Sequence, residues 1–179
     1  MFWYILFVRT GNEYQVEQLL KKRLDGDMFK PFVPIHESLF KSVGTIKKEI
    51  KPLFPSYVFV ESELSSQEFL KNTSNLIYTS SNIISLLRYS DAEIAMRESE
   101  RQMLLSLCND EYCIESSSGI IEKDRIIITD GPLKGRESIV KKVDRHKRQA
   151  YIEIDFLGET RLIGVAIELV KKIQVNKVE

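Results

Sequence analysis

In the first part of the chain, the spacing of hydrophobic residues changes several times. Residues 3–8 are apolar with hardly an interruption, which predicts a strand that is covered on both faces and central in a sheet. Between Glu13 and about Leu24 apolar residues recur at helical spacing, and Asn12 before them is a residue type that caps helices. Shorter apolar segments predict further strands, including the two arms of a hairpin, at residues 28–34, 39–41, 45–50 and 57–61.

Two more helices are predicted before residue 108. A short helix is expected to start at the serine pair 65–66. Ser90 and Glu93 have the spacing of a capping box, which predicts another helix that continues to the end of this region. The segment 83–88 fits either a strand or a turn. Together these elements predict an α+β domain, an antiparallel sheet flanked by helices, over residues 1–107.

The second part of the chain has a different pattern. Residues 108–118 contain Asn, Asp, Glu and three consecutive serines, which is typical of a linker. After the linker the apolar residues alternate or cluster in short segments, and they predict a small all-β barrel over residues 119–179, because closure removes exposed sheet edges. Its five strands are expected at residues 125–129, 138–143, 151–157, 161–165 and 167–170.

Composition excludes several classes of protein. Of the 179 residues 43% are hydrophobic and 29% charged, which is typical of a globular protein and argues against disorder. The longest apolar run, residues 2–8, is too short to cross a bilayer, which needs about 20 residues. Two cysteines exclude a disulfide scaffold and favour the cytoplasm. We therefore expect a cytoplasmic monomer without membrane contact.

The formal net charge of zero conceals a local excess of basic residues. Residues 131–150 contain seven lysines and arginines against two acidic residues. Most of the turn Asp130-Gly131-Pro132-Leu133-Lys134-Gly135 and a second loop at residues 144–148 lie in this range. Such a run is often only a solvated loop, but basic loops at one end of a barrel also fit the phosphate backbone of a nucleic acid.

Motifs for catalysis are missing from the sequence. It contains neither a glycine-rich phosphate-binding loop nor a nucleophile-elbow motif. His36 and His146 are far apart in the sequence, and Cys108 and Cys113 have no second pair of ligands to complete a zinc site. We expect no catalytic residues, no metal and no cofactor, and hence no enzyme.

Four motifs resemble those of the NusG family of transcription factors, and they occur along the chain in the same order as in that family. They are Trp3-Tyr4, the Gly11 turn before an amphipathic helix, Leu53-Phe54-Pro55-Ser56-Tyr57-Val58-Phe59-Val60, and the turn at residues 130–135. The resemblance covers essentially the whole chain and implies an NGN domain, a linker and an SH3-like KOW barrel. It also implies that the NGN domain binds the clamp helices of bacterial RNA polymerase and touches the non-template DNA strand, while the KOW domain recruits another partner.

The first predicted interface consists of aromatic residues on two strands. Trp3, Ile5 and Phe7 share one face of their strand, and Tyr57 and Phe59 share one face of theirs, so that together they could form a concave apolar surface for a partner helix. Plain core packing is the alternative, and it is favoured for Trp3. The polymerase-binding candidates are Phe7, Phe54, Tyr57 and Phe59. By position in the motif, the candidates for contact with non-template DNA are Arg9, Thr10, Asn12 and Lys22.

The residues of the KOW turn indicate which branch of the NusG family this chain resembles. Housekeeping NusG proteins carry aromatic residues there for contacts with ribosomal protein S10 or Rho, and this chain has Leu133, Arg136 and Glu137 in those places. The basic stretch 141–148 instead looks like the LoaP branch, antitermination factors for long operons whose KOW domain recognises an RNA hairpin in the nascent leader transcript. The RNA-binding candidates are Lys134, Arg136, Lys141, Lys142, Arg145, His146, Lys147 and Arg148.

Strand geometry and side-chain chemistry predict which basic residues contribute most to RNA binding. Strand alternation predicts that Lys141 and Lys142 point to opposite faces, so that only one of them joins the RNA site. Arg136, Arg145 and Arg148 are expected to matter most for selectivity, because arginine can bind phosphate or guanine through two hydrogen bonds.

A housekeeping NusG that couples polymerase to the ribosome or to Rho is the main alternative. A ribosomal protein is disfavoured by the neutral net charge.

Overall fold

The computed structural model describes residues 1–122 and 125–171. The predicted C-terminal domain also includes residues 123, 124 and 172–179, which lie outside the described residues. The helices are α1 (Glu13–Arg23), α2 (Ser66–Thr79) and α3 (Glu98–Leu107). The strands are β1 (Phe2–Val8), β2 (Lys30–Phe32), β3 (Ile35–Ser42), β4 (Thr45–Pro52), β5 (Tyr57–Ser62), β6 (Ile83–Leu86), β7 (Cys113–Ile114), β8 (Ser117–Glu122), β9 (Arg125–Asp130), β10 (Val140–Asp144), β11 (Gln149–Phe156) and β12 (Glu159–Lys171).

The N-terminal sheet has the strand order β2-β5-β1-β6. Strand β1 pairs antiparallel with β5 on one side and β6 on the other, which confirms the central position predicted from its unbroken apolar run. One face of the sheet, with Tyr4 and Val58, packs against α1 and α2. The other face, with Ile5 and Phe59, packs against α3 and against strands from the C-terminal part of the chain.

The helix starts differ in part from the predictions. Asn12 stands at the N-cap of α1, but its side chain makes no capping hydrogen bond. Instead, Oε1 of Glu13 accepts hydrogen bonds from the backbone N–H groups of Gly11 (3.2 Å) and Ser56 (2.7 Å). Helix α2 starts with a complete capping box between Ser65 and Glu68 and continues to Thr79, well beyond the short helix expected.

The helix predicted from Ser90 is wrong over its first part. The Ser90 hydroxyl does accept a hydrogen bond from the Glu93 N–H (3.2 Å), but the chain then stays extended and α3 begins only at Glu98. Ile94 and Met96 are buried, and the Met96 N–H donates to the Trp3 carbonyl at 2.7 Å. Because this segment runs along the edge of β1, tertiary packing overrides the local helix signal.

The C-terminal sheet contains five strands in the order β10-β11-β12-β8-β9. The two strands predicted at residues 161–165 and 167–170 form one strand, β12, which pairs with β11 over its first part and in parallel with β8 over its second. Strand β8 was not among the predicted strands. The alternation predicted for β11 is confirmed, because Ile152, Ile154 and Phe156 are buried while the residues between them are more exposed.

The predicted linker contains ordered structure. Strand β7 pairs in parallel with β3 and forms a three-stranded sheet of order β4-β3-β7, and Ile114 is fully buried. The Ser116 N–H donates to a carboxylate oxygen of Glu37 at 2.7 Å. These contacts fix the start of the C-terminal sheet relative to the N-terminal one.

Candidate functional site

The aromatic candidates lie on one face of the N-terminal sheet. Phe7 is opposite Tyr57 and Ile5 is opposite Phe59 in the β1–β5 register, and the rings of Phe7 and Tyr57 are 5.6 Å apart. Phe54 precedes β5 and lies 6.0 Å from Phe59. The structure thus brings all four polymerase-binding candidates together.

This aromatic face is covered by the C-terminal sheet. Phe156, the last residue of β11, stacks on Phe54 with ring centroids 4.3 Å apart and meets Tyr57 edge-on at 5.5 Å. As a result Phe54 is only 4% exposed and Phe59 is fully buried, whereas Phe7 and Tyr57 are half-buried. The four residues therefore do not form an open surface in this structure.

Trp3 belongs to the core, as the sequence favoured. It is 1% exposed, and its indole N–H donates to Glu61 at 2.9 Å. Its ring lies edge-on to Phe32, Phe59 and Tyr112 at distances between 5.1 and 5.8 Å. Trp3 thus lies on the same face as the aromatic candidates, beside Phe59, as part of the core.

Arg161 extends the contact between the two sheets. Its guanidinium carbon lies 4.8 Å from the centroid of the Phe156 ring and 5.9 Å from that of Tyr57, and its side chain is about one-third exposed. A guanidinium group at these distances is attracted to the faces of aromatic rings. Its carboxylate neighbour is Glu159, at 3.5 Å.

A buried carboxylate forms the polar part of the contact. Glu100 of α3 is 4% exposed, and its Oε1 accepts a hydrogen bond from the N–H of Gly158, in the turn between β11 and β12, at 2.8 Å. Its Oε2 accepts a hydrogen bond from the Tyr89 hydroxyl. Burial, together with this hydrogen bond, raises the pKa of Tyr89, so the hydroxyl stays protonated.

No sequence signal predicts these interdomain contacts. The alternation of β11 predicts that Phe156 points inward, but alternation does not tell whether such a residue packs within its own sheet or against another domain. Glu100 was one of many acidic residues on a predicted helix. Gly158 has φ +77°, which is typical of a hairpin glycine and unrelated to the partner of its N–H.

The DNA candidates do not all lie together. Arg9, Thr10 and Asn12 are in the turn before α1, where the Thr10 and Ser56 hydroxyl oxygens are 2.7 Å apart. Lys22 is exposed near the other end of α1, about 15 Å along the helix axis from Asn12 at 1.5 Å per residue.

The two basic loops flank β10: the first precedes this strand and the second follows it. In the first loop, the N–H of the fully buried Leu133 donates to the Ser117 hydroxyl at 3.1 Å. Ser117 is opposite Ile167 in the β8–β12 pairing, and the Ile167 N–H donates to the carbonyl of Arg148, in the second loop, at 3.0 Å. Ser117 thus anchors the first loop, and the backbone of Ile167 on the neighbouring strand anchors the end of the second.

Gly131 is required for this arrangement. It has φ +91°, and a Cβ atom added to it would lie 2.6 Å from the Ser117 Cα. The predicted turn is confirmed, since the Lys134 N–H donates to the Gly131 carbonyl at 3.1 Å. Leu133 is fully buried, so its side chain presents no contact surface for a partner.

The basic side chains differ in exposure. Arg136 and Arg148 are half-buried: Arg136 donates to the Pro132 carbonyl at 3.1 Å, and Arg148 lies 3.4 Å from Glu168. The remaining RNA-binding candidates are exposed, and they are Lys134, Lys141, Lys142, Arg145, His146 and Lys147. Of the three arginines expected to dominate selectivity, Arg145 is therefore the most accessible.

The prediction that Lys141 and Lys142 point to opposite faces is wrong. The pairing of β10 with β11 shifts between Val140 and Lys142, which indicates a β-bulge at Lys141. Lys141 lies 3.5 Å from Glu153 and the Lys142 ammonium lies 5.8 Å from the Tyr151 ring. Both lysines therefore lie over the same outer face of β11.

Other chemistry is sparse among residues 1–122 and 125–171. There, no group of three or more histidine, cysteine and acidic side chains is placed to bind a metal ion, and no helix in that part of the chain is long and apolar enough to span a membrane. Burial raises the pKa of Cys108 to about 12 and also raises that of Cys113. Burial lowers the pKa of His36, which favours the neutral ring.

Comparisons with known proteins find relatives that match nearly the whole chain. A family model described as "Transcription termination factor nusG" matches residues 1–105. A "Transcription termination/antitermination protein NusG" from Rickettsia felis is 22% identical over 176 residues, which cover 95% of this chain and 89% of that protein. A protein with the same description from Staphylococcus epidermidis is 23% identical over 178 residues, covering 96% of this chain and 95% of that protein.

Proposed function

The chain belongs to the NusG family, and on this premise we propose that it is an antitermination and elongation factor that binds RNA polymerase and a structured leader RNA. Residues 1–107 form an NGN domain that binds the clamp helices of the polymerase. Residues 108–118, which contain β7 and the start of β8, connect this domain to residues 119–179, an SH3-like KOW barrel that binds an RNA hairpin in the nascent transcript. The protein acts by binding and not by catalysis.

The proposed polymerase surface consists of Phe7, Phe54, Tyr57 and Phe59. Aromatic side chains with a shared face suit an apolar groove that receives a helix. Binding to the clamp stabilises its closed, elongating form relative to the open form of a paused complex, because a ligand shifts an equilibrium toward the state that it binds better. This promotes read-through of long operons.

The turn before α1 is the proposed contact with non-template DNA. Arg9, Thr10 and Asn12 are neighbours there, and the exposed Arg9 supplies positive charge for a phosphate group. Lys22 is too far along the helix to bind the same phosphate, and we assign it to a more distant part of the strand.

The exposed basic side chains of β10 and of the loop that follows it carry the RNA proposal. Lys141 and Lys142 lie on β10, and Arg145 and Lys147 lie in the loop after it, while the exposed Lys134 lies in the loop before β10. RNA hairpins are recognised through backbone shape and unpaired loop bases, which suits a group of exposed lysines and arginines. Arginine supplies directional contacts, and lysine mainly contributes affinity that depends on salt.

Titration of the full chain with leader-hairpin RNA at two salt concentrations tests this proposal. We expect Arg145→Ala with Lys147→Ala to weaken binding by about tenfold or more and to reduce the salt slope by about 1 to 2. The matched control is Lys71→Ala with Arg88→Ala, which removes the same two charges from exposed positions of the NGN domain. Unchanged RNA affinity in the loop variant would mean that the loop is only solvated.

A housekeeping NusG that couples polymerase to the ribosome or to Rho is the second candidate. It is favoured by the relatives that this chain matches over nearly their whole length, which are described as termination/antitermination proteins. Titration of the full chain with ribosomal protein S10, with Rho and with the leader hairpin distinguishes the two. Tight binding to S10 or Rho, with weak RNA binding, would favour the housekeeping function.

A further inference from the structure

We propose that Tyr151 stacks on an unpaired RNA base, and that Gln149 beside it donates hydrogen bonds to the edge of that base. The inference rests on the proposed function, because it takes the basic side chains on and after β10 to bind the RNA backbone. It extends that site from phosphate groups to a nucleobase on the outer face of the C-terminal sheet. The site therefore distinguishes unpaired from paired RNA.

Tyr151 lies on the outer face of β11. Its neighbours along the strand, Ala150 and Ile152, are fully buried, whereas Tyr151 is half-buried. In the β11–β12 register it is opposite Gly164, and a Cβ atom added to this glycine would lie 3.5 Å from the ring atom Cε1 of Tyr151. The ring thus extends over β12 at a position that has no side chain.

Gln149 holds the ring in place. The Tyr151 hydroxyl donates a hydrogen bond to Oε1 of Gln149 at 3.1 Å. Because the amide oxygen accepts this bond, the NH₂ group of Gln149 is the part that meets a carbonyl oxygen or ring nitrogen of a base. A ring and an amide that are already positioned lose little conformational freedom when a base binds.

Positive charge lies around this pair of side chains. The Lys142 ammonium is 5.8 Å from the centroid of the Tyr151 ring, and Arg145 and Lys147 lie in the loop that leads into Gln149. Lys142 and Tyr151 are opposite each other in the β10–β11 pairing, so that a nucleotide stacked on the ring has basic side chains beside its phosphate groups. Proteins bind single-stranded nucleic acid through this combination of positive charge and an aromatic ring.

Space for a nucleotide is present beside the ring. Gln149, Tyr151 and Gly164 line an open cleft of about 740 Å³. Sites for small molecules typically have volumes of about 300–1,000 Å³, so the cleft is large enough for a base and its ribose. The alternative role of the ring is to cover Gly164. That role requires an apolar side chain but no unpaired base.

Two RNA probes separate stacking from both packing and phosphate binding. The first is a stem–loop of about ten base pairs with unpaired loop bases, and the second is the blunt duplex of the same stem, which has no unpaired bases. Tyr151→Leu in the full chain keeps an apolar side chain over Gly164 but loses the ring. We expect it to weaken stem–loop binding about tenfold and duplex binding less than about twofold.

Two further variants and the salt dependence serve as controls. Tyr151→Phe keeps the ring and should bind the stem–loop within about threefold of the unchanged chain. Tyr78→Leu makes the same change as Tyr151→Leu at an exposed position of α2, and it should bind both RNAs as the unchanged chain does. Because a stacking ring neutralises no phosphate group, Tyr151→Leu should leave the salt slope of stem–loop binding unchanged, whereas Arg145→Ala with Lys147→Ala reduces it.

The outcomes distinguish the stacking site from the proposed function. A loss of affinity that is confined to the stem–loop and restored in Tyr151→Phe supports stacking. If the unchanged chain binds neither RNA, the proposed RNA function is wrong and the stacking site fails with it. If it binds both RNAs and Tyr151→Leu weakens both equally, or neither, the stacking site is refuted while the basic surface stands. A loss in Tyr151→Phe as large as that in Tyr151→Leu would also refute stacking.

Discussion

Replacement of Glu13 tests whether one carboxylate holds together the two turns that carry the proposed polymerase and DNA contacts. Glu13 is 4% exposed and accepts backbone N–H groups from Gly11 in one turn and Ser56 in the other. Ser56 has φ +73°, an uncommon conformation for a residue with a side chain. We therefore expect Glu13→Ala to loosen both turns at once.

The magnitude follows from the bonds that are lost. A hydrogen bond to a charged group contributes about 1.5–3 kcal/mol, and a buried N–H left without a partner costs about 1–3 kcal/mol. Allowing for relaxation and partial hydration, we expect Glu13→Ala to lower the free energy of unfolding by about 2–4 kcal/mol. Glu13→Gln keeps an acceptor oxygen but loses the charge, and we expect a loss of about 1–2 kcal/mol.

The pH dependence of this loss identifies its cause. Burial alone would raise the pKa of Glu13, but the N–H groups that it accepts outweigh burial and hold the pKa below its usual range. A carboxylate whose pKa is lower in the folded state than in the unfolded state stabilises the fold. This stabilisation is fully present above the pKa of the unfolded state, near ~4.3, and is lost as the pH falls through the pKa of the folded state. The difference between the wild-type chain and Glu13→Gln should thus shrink as the pH falls from 7 to about 3.

Urea unfolding followed by circular dichroism at several pH values measures these free energies. The matched control is Glu17→Gln on the same helix, which loses only the contact of Glu17 with Lys21 at 2.6 Å and should cost about 0.5 kcal/mol or less. Equal stability of Glu13→Gln and the wild-type chain at pH 7 would refute the reasoning. A difference that stays constant from pH 7 to about 3 would show that the charge is not its cause.

Three more predictions concern the C-terminal domain and the thiols. Gly131→Ala places a Cβ within 2.6 Å of the β8 backbone at φ +91°, and it should lower the free energy of unfolding by about 3 kcal/mol and weaken RNA binding. The control is Gly135→Ala, at φ +74° with open space around it. It should lower the free energy of unfolding by only about 1 kcal/mol in the same urea titration. Because a bulge places Lys141 and Lys142 over one face of β11, single alanine replacements of each should reduce the salt slope of RNA binding by similar amounts, and an effect confined to one lysine would contradict that placement. With its pKa raised to about 12, Cys108 should react with iodoacetamide at pH 8 far more slowly in the folded chain than in urea, as followed by mass spectrometry; equal rates would contradict its burial.

The sequence was most informative where local pattern and tertiary packing agree. The unbroken apolar run of β1 predicts a strand that is buried on both faces and central in its sheet, and β1 does pair with a strand on each side. The alternation of β11 and the glycines of the turn at Gly131 follow from strand period and backbone sterics, which are local properties.

Failures arose where contacts distant in sequence decide the structure. Ser90 and Glu93 make half of a capping box, but burial of Ile94 and Met96 against β1 keeps the following chain extended. A single extra residue in β10 reverses the orientation expected for Lys141, and nothing in the spacing of lysines indicates it.

Whether the aromatic candidate site is open or covered could not be predicted from the sequence pattern alone. Tyr57 and Phe59 share one face of β5, as strand alternation predicts, yet the sequence could not tell that Phe156 covers them. A covered surface and an open one require the same aromatic residues, because both a domain and a partner helix bury apolar rings. Only the three-dimensional arrangement distinguishes them.

Transcript sequencing in cells with and without the protein tests the central claim most directly. The account predicts that read-through decreases at a few long operons when the protein is deleted, and that the Arg145→Ala with Lys147→Ala variant fails to restore it while Lys71→Ala with Arg88→Ala restores it. Changes spread over most transcription units, restored equally by both variants, would contradict a factor that acts through leader RNA.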